Sequence, residues 1–226
     1  MLSLAAHCAC HEEDHDMFIT ASELTASPGK NGVLGPLVAQ MRDVLGKSSG
    51  KQWSAWAVVT GRPYGSFMLS TRFDDYADMI ASQMKTAASS DWGSLAATAA
   101  GVLAHPAPSM LNEVIAVTGE PSAPRQFTLV TRAVIDRTAM ADAMSWGTRV
   151  AEHVTKVTGV SAIVATSAAG QMFGMSWITG VDTADELDKM NSINTDAGYL
   201  ELLAEAGTNK LFEQGTTDRV LLSKLP

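Results

Sequence analysis

The chain spells one hairpin twice, and that constrains its fold more than any other feature. Trp53 to Phe73 reads W-S-A-W-A-V-V-T-G-R-P-Y-G-S-F-M-L-S-T-R-F. A short apolar run, a Gly-Arg-Pro-Tyr-Gly turn and an alternating run form a β-hairpin pattern. Ser161 to Val181, S-A-I-V-A-T-S-A-A-G-Q-M-F-G-M-S-W-I-T-G-V, follows the same plan. Each copy runs into an acidic helix start, D-D-Y-A-D-M at Asp74 and D-T-A-D-E-L at Asp182. Phe73 corresponds to Val181 at an offset of 108, Phe18 to Phe127 at 109, and Val114 to Val220 at 106. An offset this constant over most of the chain indicates a duplication.

Each copy carries the same order of elements. In the first, a strand opens at Met17-Phe18, and Ser27-Pro28-Gly29-Lys30 ends it. Val33, Leu34, Leu37, Val38, Met41, Val44 and Leu45 then recur at helical spacing, with Pro36 in the first turn or two. The hairpin follows, then a helix capped by Asp74 or Asp75, an Ala-rich helix from Asp91 to Leu103, and a strand at Glu113–Val117. In the second copy the expected elements are a strand at Phe127–Ile135, a helix at Thr138–Val157 capped by Asp136, and the hairpin. Helices from about Thr183 and Thr195, and a strand at Arg219–Lys224, complete it. This is β-α-β-β-α-β twice, the ferredoxin-like pattern. The expected division is a leader at 1–16, one repeat at 17–118 and another at 125–226. Ala57, Val58 and Val59, with Ile163, Val164 and Ala165, are apolar on both parities of their strands, as in a sheet covered on both faces. The expectation is an α+β fold in which the two repeats close one intramolecular barrel, helices outside.

The S-P-G-K joint at Ser27–Lys30, the two hairpins and the two hairpin-to-helix joints resemble the dimeric α+β barrel superfamily. That superfamily includes antibiotic-biosynthesis-type monooxygenases, haem-degrading enzymes, and EthD-like and NIPSNAP-like proteins. The resemblance covers about residues 17–226 and implies a fused version of a barrel usually built from two chains. It further implies a small-molecule-binding protein, monooxygenase-like or haem-handling, with haem or no cofactor. The alternative reading is a non-catalytic structural or accessory subunit, its barrel halves filled and its outer helices bound to a protein partner or another copy.

Composition narrows the partners. A formal net charge of −8 with scattered Lys and Arg opposes nucleic acid and anionic membrane. No apolar run approaches the roughly 20 residues of a membrane helix, and the N-terminus lacks the basic start of a signal peptide. Cys8 and Cys10 are the only cysteines, so a reducing, cytoplasmic setting is expected. The leader, with His7, Cys8, Cys10, His11 and His15, has metal-ligand chemistry, although its spacing matches no zinc-finger pattern.

Comparing the two copies picks out candidate site residues. His153 lies on the stripe Trp146, Val150, His153, Val157, where the first copy has Val44 or Leu45. It is the candidate general base or axial haem ligand; the plainer role is a hydrogen-bonded histidine at a helix edge. Trp177 stands where the first copy has Leu69, and Trp53 and Trp56 face small or aliphatic counterparts. With Trp146, these rings are candidates to wall a pocket for a flat apolar ligand; the plainer reading is an exchange of volume within a packed core. Arg72 aligns with Gly180 and Arg132 with Glu23. A charge pointing into the barrel needs a partner or an anionic ligand.

Overall fold

The computed structural model describes residues 17–120 and 124–226. In chain order the elements are β1 (Phe18–Thr25), α1 (Asn31–Ser49), β2 (Ser54–Thr60), β3 (Ser66–Phe73), α2 (Tyr76–Ala87), α3 (Ser90–Ala100) and β4 (Ser109–Thr118) in the first repeat. The second has β5 (Phe127–Val134), α4 (Met140–Thr158), β6 (Ala162–Ala169), β7 (Gly174–Val181), α5 (Ala184–Asn191), α6 (Ala197–Thr208) and β8 (Asp218–Lys224). All eight strands join one closed antiparallel barrel in the order β1-β3-β2-β8-β5-β7-β6-β4. Each repeat keeps its own ferredoxin-like order, β4-β1-β3-β2 and β8-β5-β7-β6. Two seams close the barrel, β2 on β8 and β4 on β6.

Local chemistry repeats with the sheet. Helices α1 and α4 are both 19 residues long and end on glycines 109 residues apart, Gly50 at φ 75° and Gly159 at φ 73°. That left-handed cap favours a residue without Cβ. Asp75 caps α2 by accepting from the Asp78 amide, as expected, and Thr183 with Glu186 forms a capping box on α5. The expectation for Asp136 is corrected. The residue preceding α4 is Ala139, and Asp136 instead accepts hydrogen bonds from the Thr138 backbone and hydroxyl. Its carboxylate prefers this local turn to a helix that starts one turn later. β4 is also longer than its apolar core predicts, because it pairs with β1 on one side and β6 on the other.

Side-chain alternation divides the apolar residues into three layers. Ala21, Trp56, Met68, Val130, Val220 and Leu222 point into the barrel. Leu34, Leu37, Val38, Leu45 and Leu69 pack between the first repeat's sheet and its helices. Ala143, Trp146, Val150, Val164 and Met175 do so in the second.

Candidate functional site

The two helix-covered layers are filled differently. At the 109-residue helix offset, Leu34 and Val38 of α1 become Ala143 and Gly147 of α4, and Leu37 becomes Trp146. Leu69 of β3 becomes Trp177 of β7. The second repeat has exchanged four aliphatics for two small residues and two indoles. Gly147 is required where it stands: a Cβ there would overlap the end of Met175 and lie 3.2 Å from the Trp177 ring. The Trp177 indole N–H donates to the Gly147 carbonyl at 3.0 Å, and that of Trp146 donates to the Leu202 carbonyl at 2.8 Å. With both N–H groups spent on backbone, the rings present only apolar faces and edges. Phe212 completes an edge-to-face triangle, with centroids 5.7 Å (Trp146–Trp177), 5.2 Å (Trp146–Phe212) and 5.8 Å (Trp177–Phe212) apart.

Beside this triangle lies a cavity of about 400 Å³ between the second repeat's sheet and α4, α5 and α6. Trp146, Val150, Trp177, Tyr199 and Phe212 supply apolar wall, and Asn191, Asn194, Thr131, Thr179 and Arg219 supply polar atoms. Arg219 Nε donates to the Thr131 hydroxyl at 3.2 Å, which steadies the guanidinium at the sheet. The corresponding layer of the first repeat is packed by Leu34, Leu37, Val38, Leu45 and Leu69, each no more than 6% exposed.

A second cavity of about 380 Å³ occupies the barrel lumen, on the opposite face of the same sheet. Trp56, Arg72 and Arg132 line it, with Ile19, Asn112, Thr128, Ser176 and Ile178. The candidate residues therefore separate into two groups, Trp146 and Trp177 under the helices and Trp56, Arg72 and Arg132 in the lumen. Trp53 joins neither group. It precedes β2, packs on the first repeat's helix-covered layer and donates its indole N–H to Ser49 Oγ at 3.1 Å.

His153 lines neither cavity. The buried face of α4 centres on Ala143, Gly147, Val150 and Val154. At 3.6 residues per turn, His153 lies about a quarter turn from that centre. Its Nε2–H donates to Asp196 Oδ1 at 2.6 Å, and its side chain is 25% exposed. Asp196 is the N-cap of α6 and also accepts from the Tyr199 amide at 2.9 Å. The hydrogen bond from His153 holds the Asp196 carboxyl below the usual carboxylate range. Gly198 leaves room for the imidazole, since a Cβ there would come 2.6 Å from His153 Cε1. His153 thus pins the start of α6 to α4, the plainer helix-edge role, and as the candidate general base or haem ligand it lies outside the lining of both cavities.

Among the described residues that line the cavity under the helices there is no imidazole or thiolate. The described lining residues do not fit a histidine-ligated haem. His7, Cys8, Cys10, His11 and His15 lie outside the described residues. Among those described, no group of three His, Cys, Asp or Glu side chains is arranged to hold a metal ion. No described helix is long and apolar enough to cross a membrane.

Sequence reasoning missed Arg219, Asn191, Asn194, Tyr199 and Phe212. Arg219 left a trace, since at the 106-residue offset its counterpart is Glu113. The others sit in or beside the α5–α6 segment, whose irregular turn breaks the repeat. Arg62 was missed as well. It lies in the β2–β3 turn, donates from Nε to Glu23 at 3.1 Å, and forks both Nη groups onto Asp218.

No protein-family model matches the chain, and no curated protein matches its sequence. Solved structures do match over nearly the full length. A Fusobacterium nucleatum protein assigned as a monooxygenase superposes with a TM-score of 0.69 at 10% identity, covering 94% of each chain. An anthrone oxidase-like protein gives 0.67 at 12% identity, covering 95% of this chain and 93% of its own. A protein assigned as a chlorite dismutase gives 0.57 at 10% identity, covering 93% and 95%. At such identities the likeness establishes the fold alone: this chain has the α+β barrel of these proteins, both halves in one polypeptide.

Proposed function

We propose that the protein binds a small, flat, largely apolar molecule in the cavity under α4 and α6, and acts on it as a monooxygenase-like enzyme. The observation that carries this reading is the exchange of Leu37, Leu69, Leu34 and Val38 for Trp146, Trp177, Ala143 and Gly147. Trp146 and Trp177 wall a cavity in this repeat, whereas the corresponding layer of the first repeat is packed with aliphatics. A cavity of this size is within the range of small-molecule sites. Arg219, Asn191 and Asn194 would orient a hydroxyl or carbonyl on the ring. The guanidinium would favour the ionised form of a hydroxyl and so make the ring electron-rich toward dioxygen. The full-length likeness to proteins described as monooxygenase or anthrone oxidase-like supports the reaction class.

The test uses 1-naphthol as a probe, with binding read by tryptophan fluorescence and turnover by an oxygen electrode. Saturable quenching by wild type, weakened about tenfold or more by Trp177→Leu, supports the site. No quenching by this probe and no oxygen uptake would count against it.

A second reading, an interaction subunit that docks through an outer helix, rests on α2. Tyr76, Ile80 and Met84 form an i, i+4, i+8 stripe, each at least 49% exposed. A wild type that sediments as an oligomer, and an Ile80→Glu protein that sediments as a monomer, would favour it.

A further inference from the structure

Among the described residues, the lumen carries more positive charge than its carboxylates pair. Arg72, Arg132, Glu23 and Asp218 all occupy inward-facing register positions, with Arg72 opposite Ile19, Glu23 opposite Met68 and Arg132 opposite Asp218. Arg62 engages both Glu23 and Asp218. Among the described residues, Arg72 and Arg132 have no carboxylate within ion-pair distance and both line the lumen cavity. The duplication shows that this imbalance is not inherited from the fold. Arg132 stands where the first repeat has Glu23, and Arg72 where the second has Gly180.

We propose that the barrel lumen is a second binding site, for a small organic carboxylate with an apolar body, held by Arg72 and Arg132. A guanidinium does not shed its charge, so one facing a cavity without a counter-ion is a standing electrostatic cost that a bound anion removes. Carboxylates meet arginine through paired N–H···O bonds, which gives orientation as well as attraction. Burial lowers the pKa of both guanidinia, and for Arg132 the neighbouring Arg62 adds to the effect, while Glu23 and Asp218 act from a distance to oppose it. The rest of the wall selects the body of the ligand. Trp56, Met68, Val130, Ile163, Ile178 and Leu222 are apolar, and Trp56 spends its indole N–H on Ser70 Oγ at 2.9 Å, leaving its ring to the cavity. A fully hydrated inorganic anion gains nothing from such walls, whereas a ring or short chain bearing a carboxylate buries its carbon against them. This site lies across the sheet from the cavity under α4 and shares no lining residue with it.

The experiment titrates the full-length protein with 4-fluorobenzoate in chloride-free buffer, read by ¹⁹F NMR, with 4-fluorobenzamide as the neutral isostere. The expected result is saturable benzoate binding, with the amide and the Arg72→Leu and Arg132→Leu variants each weaker by about tenfold or more. Arg219→Leu, altered in the other cavity, should bind benzoate like wild type. If a lumen variant fails to fold, the wild type still decides: the Nε–H resonances of Arg72 and Arg132 should shift with benzoate while that of Arg42 stays. Equal affinity for benzoate and benzamide, loss of binding in Arg219→Leu alone, unmoved Arg72 and Arg132 resonances, or no saturable benzoate binding by wild type would each overturn the proposal.

Discussion

Replacing Arg62 with Met tests how much the charge cluster at the end of the lumen contributes to closing the barrel. Arg62 comes from the first repeat's hairpin turn and Asp218 from the start of β8, so their contact bridges the β2–β8 seam. Methionine keeps much of the aliphatic stem and removes three hydrogen bonds to carboxylates, one to Glu23 and two to Asp218, together with one to the Gly61 carbonyl. Breaking a fully buried pair costs about 3–5 kcal/mol, whereas a surface pair is worth about 0–1 kcal/mol. The Glu23 side chain is 17% exposed and that of Asp218 35%, so the cost falls between these limits, at about 2–3 kcal/mol. For a chain of this length that is a drop in Tm of about 4–12 °C. Urea unfolding at neutral pH measures it directly. The acid limb supplies a second check. The hydrogen bond from Arg62 holds the Asp218 carboxyl below the usual carboxylate range. Its stabilisation is therefore complete above about pH 4 and is lost as pH falls through the folded value. The gap between wild type and Arg62→Met should narrow below about pH 4. A loss under about 0.5 kcal/mol, or a gap that is constant down to the acid transition, would refute the reasoning.

Two further outcomes are expected. Gly61 has φ +92°, and a Cβ there would overlap the Arg219 carbonyl oxygen and come 2.9 Å from Val220 Cα, so Gly61→Ala should pry apart the β2–β8 seam. A destabilisation of about 3 kcal/mol or more by urea unfolding is expected, and a neutral result would show that the seam tolerates a shift. His153→Leu should leave 1-naphthol binding unchanged while speeding hydrogen exchange at the Tyr199 amide, because Asp196 loses the donor that steadies it as the α6 cap. Lost probe binding with unchanged exchange would return His153 to the site.

How much of this was legible in the sequence follows from the kind of interaction involved. The duplicated hairpin, the acidic helix starts and the glycines ending α1 and α4 are local signals, set by turn chemistry and capping within a few residues. They were sufficient for two ferredoxin-like units and, from strands apolar on both parities, for a barrel. Comparing the copies also picked out Trp146, Trp177, Trp56, Arg72 and Arg132, because duplication offers each position a reference. It could not say that these residues face opposite sides of one sheet. That follows from register, where a shift of one residue moves a side chain from lumen to helix layer. His153 shows the limit on a helix: a stripe spaced 4, 3, 4 names a face, but the neighbour decides how far round the burial reaches. Here α6 meets α4 along its flank and turns the imidazole into a brace for Asp196. Arg62 and Asp218 are 156 residues apart, and only closure of the β2–β8 seam brings them together. That meeting leaves Arg72 and Arg132 without a carboxylate partner among the described residues. The sequence alone determined the elements and their duplication, whose causes are local, while barrel closure decided which charges are paired and which face a cavity.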